Sequence, residues 1–475
     1  MKVLVLVVAF TLIIPASSWA WERNTHEEIT EQAIRIMEGD LNSYLMNNLG
    51  LENGLNESVM GSTPRMLMIQ GSNTEDDGLR SLNHFHEPIT NSGLGIVGGT
   101  SAIEWSLKTI GAQAGENSFS WNDAREYFFK ALTSPTKAER DEYWGKTFRA
   151  LGHVMHLLQD SANPSHVRDD PHPFDDGLHD YMERKSVGSY IGGGIFNPDP
   201  SMLEQSGATR SEPFSNLFDR NVYSGSNPLA TLGADIGVTE YTNANFFSDD
   251  TIPGQGSIFN AGITYPAVTE LVPAPIPSPY LTLPRLGSAA FSGARTAKLT
   301  GNQAVAKFLL TNTNLDLLGQ LQLDDVVYDA YSSHLIPRAV GYSAAVLNYF
   351  FRGDMPILRQ EYLVSESDEG DEKPFREVGT LDVSIEVPFS LGFQGEMLFY
   401  VELSNGNRLE FDRLTWNGTN PVRAFNFPQV DDFVLFEPVR WYVVLKGAMG
   451  PGSQEPEAIV GKAGLAIWIV SPLPR

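Results

Sequence analysis

Between positions 156 and 183 the chain sets His156, Asp160, His166, His179 and Glu183 at intervals that two helices joined by a kink would turn toward one point. In residues 150–160, Leu151, Val154, Leu157 and Leu158 recur at helical spacing, so His156 and Asp160 lie one turn apart on one face. Pro164 disfavours helical backbone at Asn163, which ends that helix and lets His166 turn back. Residues 177–185 read as the start of a second helix, on which His179 and Glu183 again share a face. Imidazole nitrogens and carboxylate oxygens converging from rigid elements are what a zinc site requires. One such pair alone is weak; two pairs joined by a kinked histidine are specific. Histidines spread through helices at random would not cluster as these do: eight of the nine lie between His26 and His179, leaving only His334 beyond.

The amino terminus adds a second constraint. Lys2, an apolar run over residues 3–14, Pro15 and then Ser18 and Ala20 at the −3 and −1 positions read as a signal peptide spanning residues 1–20. Cleavage would make Trp21 the first residue of a secreted or periplasmic protein. Thr25 is predicted to cap the first helix, with Glu28 completing a capping box and His26 just inside it. A new α-amino group and His26 could together ligate a metal.

These residues resemble the zinc-dependent phospholipase C and S1/P1 nuclease superfamily, whose processed members start with a Trp that binds zinc through its amino nitrogen and carbonyl oxygen. The superfamily carries a His-x3-Asp-x5-His series followed by His-x3-Glu/Asp, matched here by His156, Asp160, His166, His179 and Glu183, after Trp21 and His26. It also needs an Asp and a His in between. His84-Phe85 followed by Glu87-Pro88 is similar to its His-Phe-x-Asp-Pro segment, which points to His84 as the ligand and His86 as a neighbour. Asp76 and Asp77 compete for the carboxylate, with Asp76 favoured. The resemblance implies three zinc ions: one on Asp76, His84, His156 and Asp160, a second on His166, His179 and Glu183, and a third on Trp21, His26 and a bridging Asp160. Such a cluster suits phosphodiester hydrolysis, because divalent ions neutralise phosphoryl oxygens and acidify bound water, while Asp76 could orient or deprotonate that water. His153, one turn before His156, is expected to orient or pack, and His172, between two prolines, to sit in a loop.

Composition narrows the chemistry. The absence of cysteine excludes disulfides and thiolate ligands, leaving His, Asp and Glu as the strong zinc donors. A formal net charge of −25 without a Lys/Arg-rich stretch argues against long-range attraction to a polyanion, so no stable nucleic-acid partner is expected.

The predicted fold class is multidomain α + β: a mainly α-helical zinc-dependent phospholipase C-like domain at 21–353, an acidic linker at 354–375 and a β-rich, sandwich-like domain at 376–475. Residues 123–132 and 137–158 read as helices, residues 324–351 as the closing helix, and 187–299 as a Gly/Pro-rich insertion ordered in part. Beyond the linker the period becomes two, giving strand candidates at 381–387, 397–403, 408–414 across an Asn405-Gly406 turn, 433–436, 441–445 and 463–470.

The sequence therefore predicts a secreted zinc phosphodiesterase of phospholipase C type, cleaving phospholipids to diacylglycerol and a phosphorylated head group, with transient contact to a membrane surface. Two other readings compete. The short gap between Trp21 and His26 is typical of S1/P1 nucleases, whereas the Glu ending His179-x3-Glu183 is usual for phospholipases. A non-catalytic surface or adhesion protein stabilised by zinc is the third.

Overall fold

The computed structural model describes residues 21, 23–95, 98–113, 117–171, 177–204, 212–252, 263–273, 280–286, 295–299, 321–366, 377–386, 392–416, 422–426, 439–450, 455–466 and 468–469. The proposed signal peptide, His172 and the strand candidate at 433–436 lie outside these residues. A helix-rich amino-terminal region is followed by a carboxy-terminal region of antiparallel sheet. Contacts divide the chain into two compact units: Met1–Ile36, Met68–Asn122 and Arg149–Leu347 form the first, and Met37–Leu67, Asp123–Phe148 and Asn348–Arg475 the second.

Among the described residues the helices are α1 (Arg23–Leu49), α2 (Pro64–Thr74), α3 (Ala102–Ser106), α4 (Trp121–Thr133), α5 (Lys137–Asp160), α6 (Gly177–Glu183), α7 (Gly188–Ile191), α8 (Val238–Asn245) and α9 (Asp325–Phe350). Thr136 and Glu139 cap α5 reciprocally, the Glu139 carboxylate accepting from Thr136 N at 3.1 Å and the Thr136 hydroxyl accepting from Glu139 N at 3.3 Å. Toward its end α5 is buried on every side, from Ala150 to Asp160, so its polar residues there are enclosed rather than solvated. The amino end of α1 departs from expectation. The helix starts at Arg23, so Thr25 lies within it, and Glu28 instead accepts from Val187 N at 2.8 Å and Ser186 Oγ at 2.9 Å. Tertiary contacts have taken the side chain that a local capping box would have used.

Part of the Gly/Pro-rich insertion is ordered. Every residue of α8 is buried, and the fully buried Arg168 donates to the carbonyls of Asn243 and Tyr265 at 2.7 and 2.8 Å and to Thr251 Oγ1 at 2.6 Å. Strands β1 (Val272–Pro273), β2 (Tyr280–Thr282), β3 (Arg295–Leu299) and β4 (Leu321–Gln322) form an antiparallel sheet in that order.

The second unit holds two four-stranded sheets. One runs β11 (Glu455–Ala466), β10 (Val439–Met449), β7 (Gln394–Glu402), β8 (Arg408–Trp416); the other runs β12 (Trp468–Ile469), β5 (Ile357–Glu366), β6 (Glu377–Glu386), β9 (Val422–Asn426). Val383 and Ile385 of the second sheet share a core with Met397, Phe399, Val401, Trp441 and Val443 of the first, which makes a sandwich. On β7 and β10 both faces are buried over residues 397–401 and 441–445. That two-sided burial is why these strands read as apolar runs more than as alternation. The expected linker needs one correction: residues 357–366 are strand β5, paired antiparallel with β6, with Tyr362 opposite Leu381. Tyr362, Leu363 and Val364 favour extended backbone, and the acidic residues after them masked that signal.

Candidate metal centre

All the donors described below belong to the first unit. His156 and Asp160 come from the buried end of α5, His26 from α1, Asp76 from just beyond α2, and His84 from the end of a 3-10 turn at Gly78–Asn83. Two glycines bring α2 and α5 into backbone contact. A Cβ on Gly152 would lie 2.0 Å from Met68 O, and one on Gly71 would lie 2.1 Å from Arg149 O. That approach puts the Ser72 carbonyl 2.6 Å from His156 Nδ1 and carries Asp76 to the His156 ring.

Asp76, His84, His156 and Asp160 then form one constellation. His84 Nδ1 and His156 Nε2 face each other at 3.3 Å, and each lies 3.5 Å from Asp76 Oδ1. Asp160 Oδ2 is 2.9 Å from His84 Nδ1 and 3.2 Å from His156 Nε2. Four donors around a tetrahedral zinc with bonds of about 2.0–2.1 Å sit about 3.3–3.4 Å apart. The other oxygen of Asp160 faces His26 Nε2 at 3.2 Å, so this carboxylate stands between His26 on one side and His84 and His156 on the other. His156 is common to the two three-donor groups that could hold a metal ion, His26, His156 and Asp160, and Asp76, His84 and His156.

Hydrogen bonding shows what these groups lack. Both oxygens of Asp76 and of Asp160, together with His26 Nε2 and His84 Nε2, are buried without a hydrogen bond among the described residues. The outer ring nitrogens of two histidines are nevertheless tied: His156 Nδ1 donates to the Ser72 carbonyl, and His26 Nδ1 lies 2.7 Å from Gln159 Oε1. Gln159 is oriented by its amide, which donates to Thr30 Oγ1 at 2.9 Å and Ser343 Oγ at 3.3 Å, so its oxygen must accept. Each Nδ1 thus carries a hydrogen, and each Nε2 is aimed at carboxylate oxygens. Lone pairs facing carboxylates in a buried site repel unless a cation lies between them.

A proton can play that part only in some positions. Burial disfavours charge on His156, but Asp160 and Asp76 outweigh it and hold the pKa well above the ordinary histidine value. Burial likewise opposes charge on His84, and attraction to Asp160 raises its pKa nonetheless. His26 goes the other way: burial, reinforced by His156, lowers it and leaves its lone pair directed at Asp160. Asp160 is held well below the usual carboxylate range, burial being outweighed by His156, His166 and His84. The residues fit a divalent cation that replaces these shared protons.

The remaining sequence-predicted residues fall as follows. Asp77 is exposed and pairs with Arg23 at 2.9 Å, whereas Asp76 is fully buried in the cluster. His166 lies at the edge, its Nδ1 3.6 Å from Asp160 Oδ2 and its ring stacked on Phe85 at 4.1 Å. Trp21 is buried, and its indole donates to the Gln159 carbonyl on α5 at 2.9 Å. On α6 the buried face is taken by Leu178, Tyr181 and Met182; Glu183 is exposed, and His179 Nδ1 lies 3.3 Å from Asp180 Oδ1. The two donor groups found among the described residues include neither His179 nor Glu183. His86 stands outside the cluster, with Ser101 Oγ 2.8 Å from Nδ1 and Asp219 Oδ2 2.9 Å from Nε2. His153 bonds to Glu75, and burial lowers its pKa to about 4. Sequence reasoning missed Ser72, Gln159 and Glu75; the only signal for Gln159 was a polar residue inside an apolar helical run.

No family model matches the chain, and no curated protein does. Among solved structures the chain has a weak likeness to the alpha toxin from Clostridium absonum, with a TM-score of 0.31 and 14% identity over 94% of this chain and 96% of that one. No helix among the described residues is long and apolar enough to cross a membrane.

Proposed function

We propose that this chain is an exported zinc-dependent phosphodiester hydrolase that cleaves phospholipids in the manner of a phospholipase C. The observation that carries the reading is the set Asp76, His84, His156 and Asp160, whose histidine nitrogens lie 2.9–3.5 Å from one another and from the carboxylate oxygens, oxygens that lack hydrogen bonds among the described residues. Zinc held there would neutralise phosphoryl oxygens and supply a water acidic enough to attack near neutral pH. Asp160 would bridge toward His26, and the outer acceptors Ser72 O and Gln159 Oε1 would keep the imidazoles in ligating orientation. Asp76, ionised beside a cation, would accept a hydrogen bond from the attacking water. His166, His179, Glu183 and the amino group of a processed Trp21 would complete a three-metal set, as the superfamily resemblance implies.

Phospholipid is favoured over nucleic acid because a net charge of −25 opposes approach of a long polyanion. The test is product analysis of the protein beginning at Trp21, given mixed phospholipid vesicles and single-stranded DNA in parallel, with and without a zinc chelator. Diacylglycerol that disappears with chelator is the expected result. Chelator-sensitive nucleotides alone would make the protein a nuclease, and neither product would leave a zinc-stabilised surface protein.

A further inference from the structure

His84 is the one histidine of the tetrahedral set whose outer nitrogen has no hydrogen bond among the described residues. That nitrogen, Nε2, points at Glu75, whose Oε1 lies 3.7 Å away, just beyond hydrogen-bond reach. Glu75 is completely buried and anchored on its far side. Its Oε2 accepts from Arg80 Nε at 2.9 Å and Nη2 at 2.5 Å and from His153 Nδ1, while Oε1 accepts from Trp105 Nε1 at 2.8 Å. Arg80 is fixed in turn by Gln113 Oε1 at 3.0 Å and by the Asn117 carbonyl at 3.3 Å. The carboxylate is therefore rigid, with one lone pair of Oε1 left over on the side of His84.

We propose that Glu75 is a positioning residue: it accepts the Nε2 hydrogen of His84 and so keeps the Nδ1 lone pair of that ring directed at the cation between Asp76 and Asp160. The inference rests on the metal reading of the cluster. It supplies the third member of a pattern already present twice, because His26 and His156 direct their outer N–H groups to Gln159 Oε1 and Ser72 O. A ligating imidazole without such an acceptor is free to turn or to take the wrong tautomer. A shift of His84 by less than an ångström toward Glu75 brings the pair into hydrogen-bond range.

The experiment compares zinc uptake by the wild-type chain, Glu75→Gln and Glu75→Asp, using competition with a chromogenic chelator and metal content by elemental analysis. Glu75→Gln is expected to weaken one zinc site about ten- to hundredfold, and Glu75→Asp, which retains the charge beside Arg80, to fall between. Proton and nitrogen-15 spectra of histidine-labelled, zinc-loaded wild type should show His84 coordinated through Nδ1 with its Nε2 hydrogen shifted downfield by a hydrogen bond to a carboxylate, a shift that Nδ1 coordination alone does not produce and whose absence overturns the proposal. Folded Glu75→Gln that binds zinc as tightly as wild type, or His84 coordinated through Nε2, overturns the proposal alone. Wild type that takes up no zinc overturns the metal reading and this proposal with it. Should Glu75→Gln fail to fold, the wild-type spectrum decides.

Discussion

Glu75 and Asp76 are neighbours in sequence, both carboxylates and both fully buried, yet they stand in opposite electrostatic worlds. Glu75 is anchored by hydrogen bonds from Arg80, Trp105 and His153, and although burial opposes its charge, Arg80, His153 and His84 hold its pKa well below the usual range. Asp76 faces only histidine nitrogens, and both of its oxygens lack hydrogen bonds among the described residues. Burial with anchoring marks a group that holds the structure together; burial without it marks a group kept for something absent from the polypeptide. His84, between them, turns one nitrogen to each.

The harshest way to break the anchored side is Arg80→Met. It leaves Glu75 ionised and buried without its main counter-charge, so unfolding in denaturant should show a loss of about 3–5 kcal/mol. Most of the loss should already be present with chelator. A loss seen only in the zinc-loaded protein would mean that Arg80 belongs to the metal site rather than to its support.

Asp76→Asn probes the other side and should separate stability from metal binding. Chelator-treated protein is expected to lose only the support that Asp76 gives to the buried, protonated His156, a loss that should shrink as pH rises and that ring gives up its proton. Zinc affinity, read by titration, should drop by more than about a hundredfold, above the range for outer hydrogen-bond partners. Equal zinc affinity in the two proteins would take Asp76 out of the ligand set.

Gly152→Ala tests the crossing that joins the two sides. Its methyl would lie 2.0 Å from Met68 O and 2.8 Å from Ser72 N, both backbone atoms of α2, so α2 and α5 must part. Overpacking of this kind costs about 1–3 kcal/mol, and moving Ser72 O away from His156 should weaken zinc binding as well. A variant with wild-type melting and zinc affinity would show that the contact is dispensable.

Much of this was legible in sequence because it is local. Helical patterning found α4, α5 and α9, strand-like patterning found β6, β7, β8 and β10, and the spacing of His156 and Asp160 put two donors on one helical face. The outer shell was not legible, because it depends on residues far apart in the chain. Gly71 and Gly152 each look like a weak point in a helix until α2 and α5 are seen to touch. Ser72 contributes a backbone carbonyl, which carries no residue-type signal at all. Thr25 and Glu28 had the right spacing for a cap, but Glu28 found partners in Ser186 and Val187 instead. Strand β5 was hidden by the acidic run that follows it.

The mildest test is pH, and it gives the two sides opposite signs. Burial lowers the pKa of His153 from 6.5 to about 4, so between those values the unfolded chain takes up a proton that the folded chain refuses. Stability from this residue is present above pH 6.5 and declines as pH falls toward 4. His156 behaves in reverse. Burial opposes its charge, but Asp160 and Asp76 raise its pKa well above 6.5, so metal-free protein draws stability from it below pH 6.5 and loses that as pH rises through the folded value. Thermal melts of chelator-treated protein should therefore show a decline on the alkaline side that added zinc removes, because the metal takes the place of the proton. The acid-side decline from His153 should persist with zinc, since that ring bonds to Glu75 and lies outside both donor groups. If zinc left the alkaline decline intact, the proton on His156 and the metal would not be competing for one place.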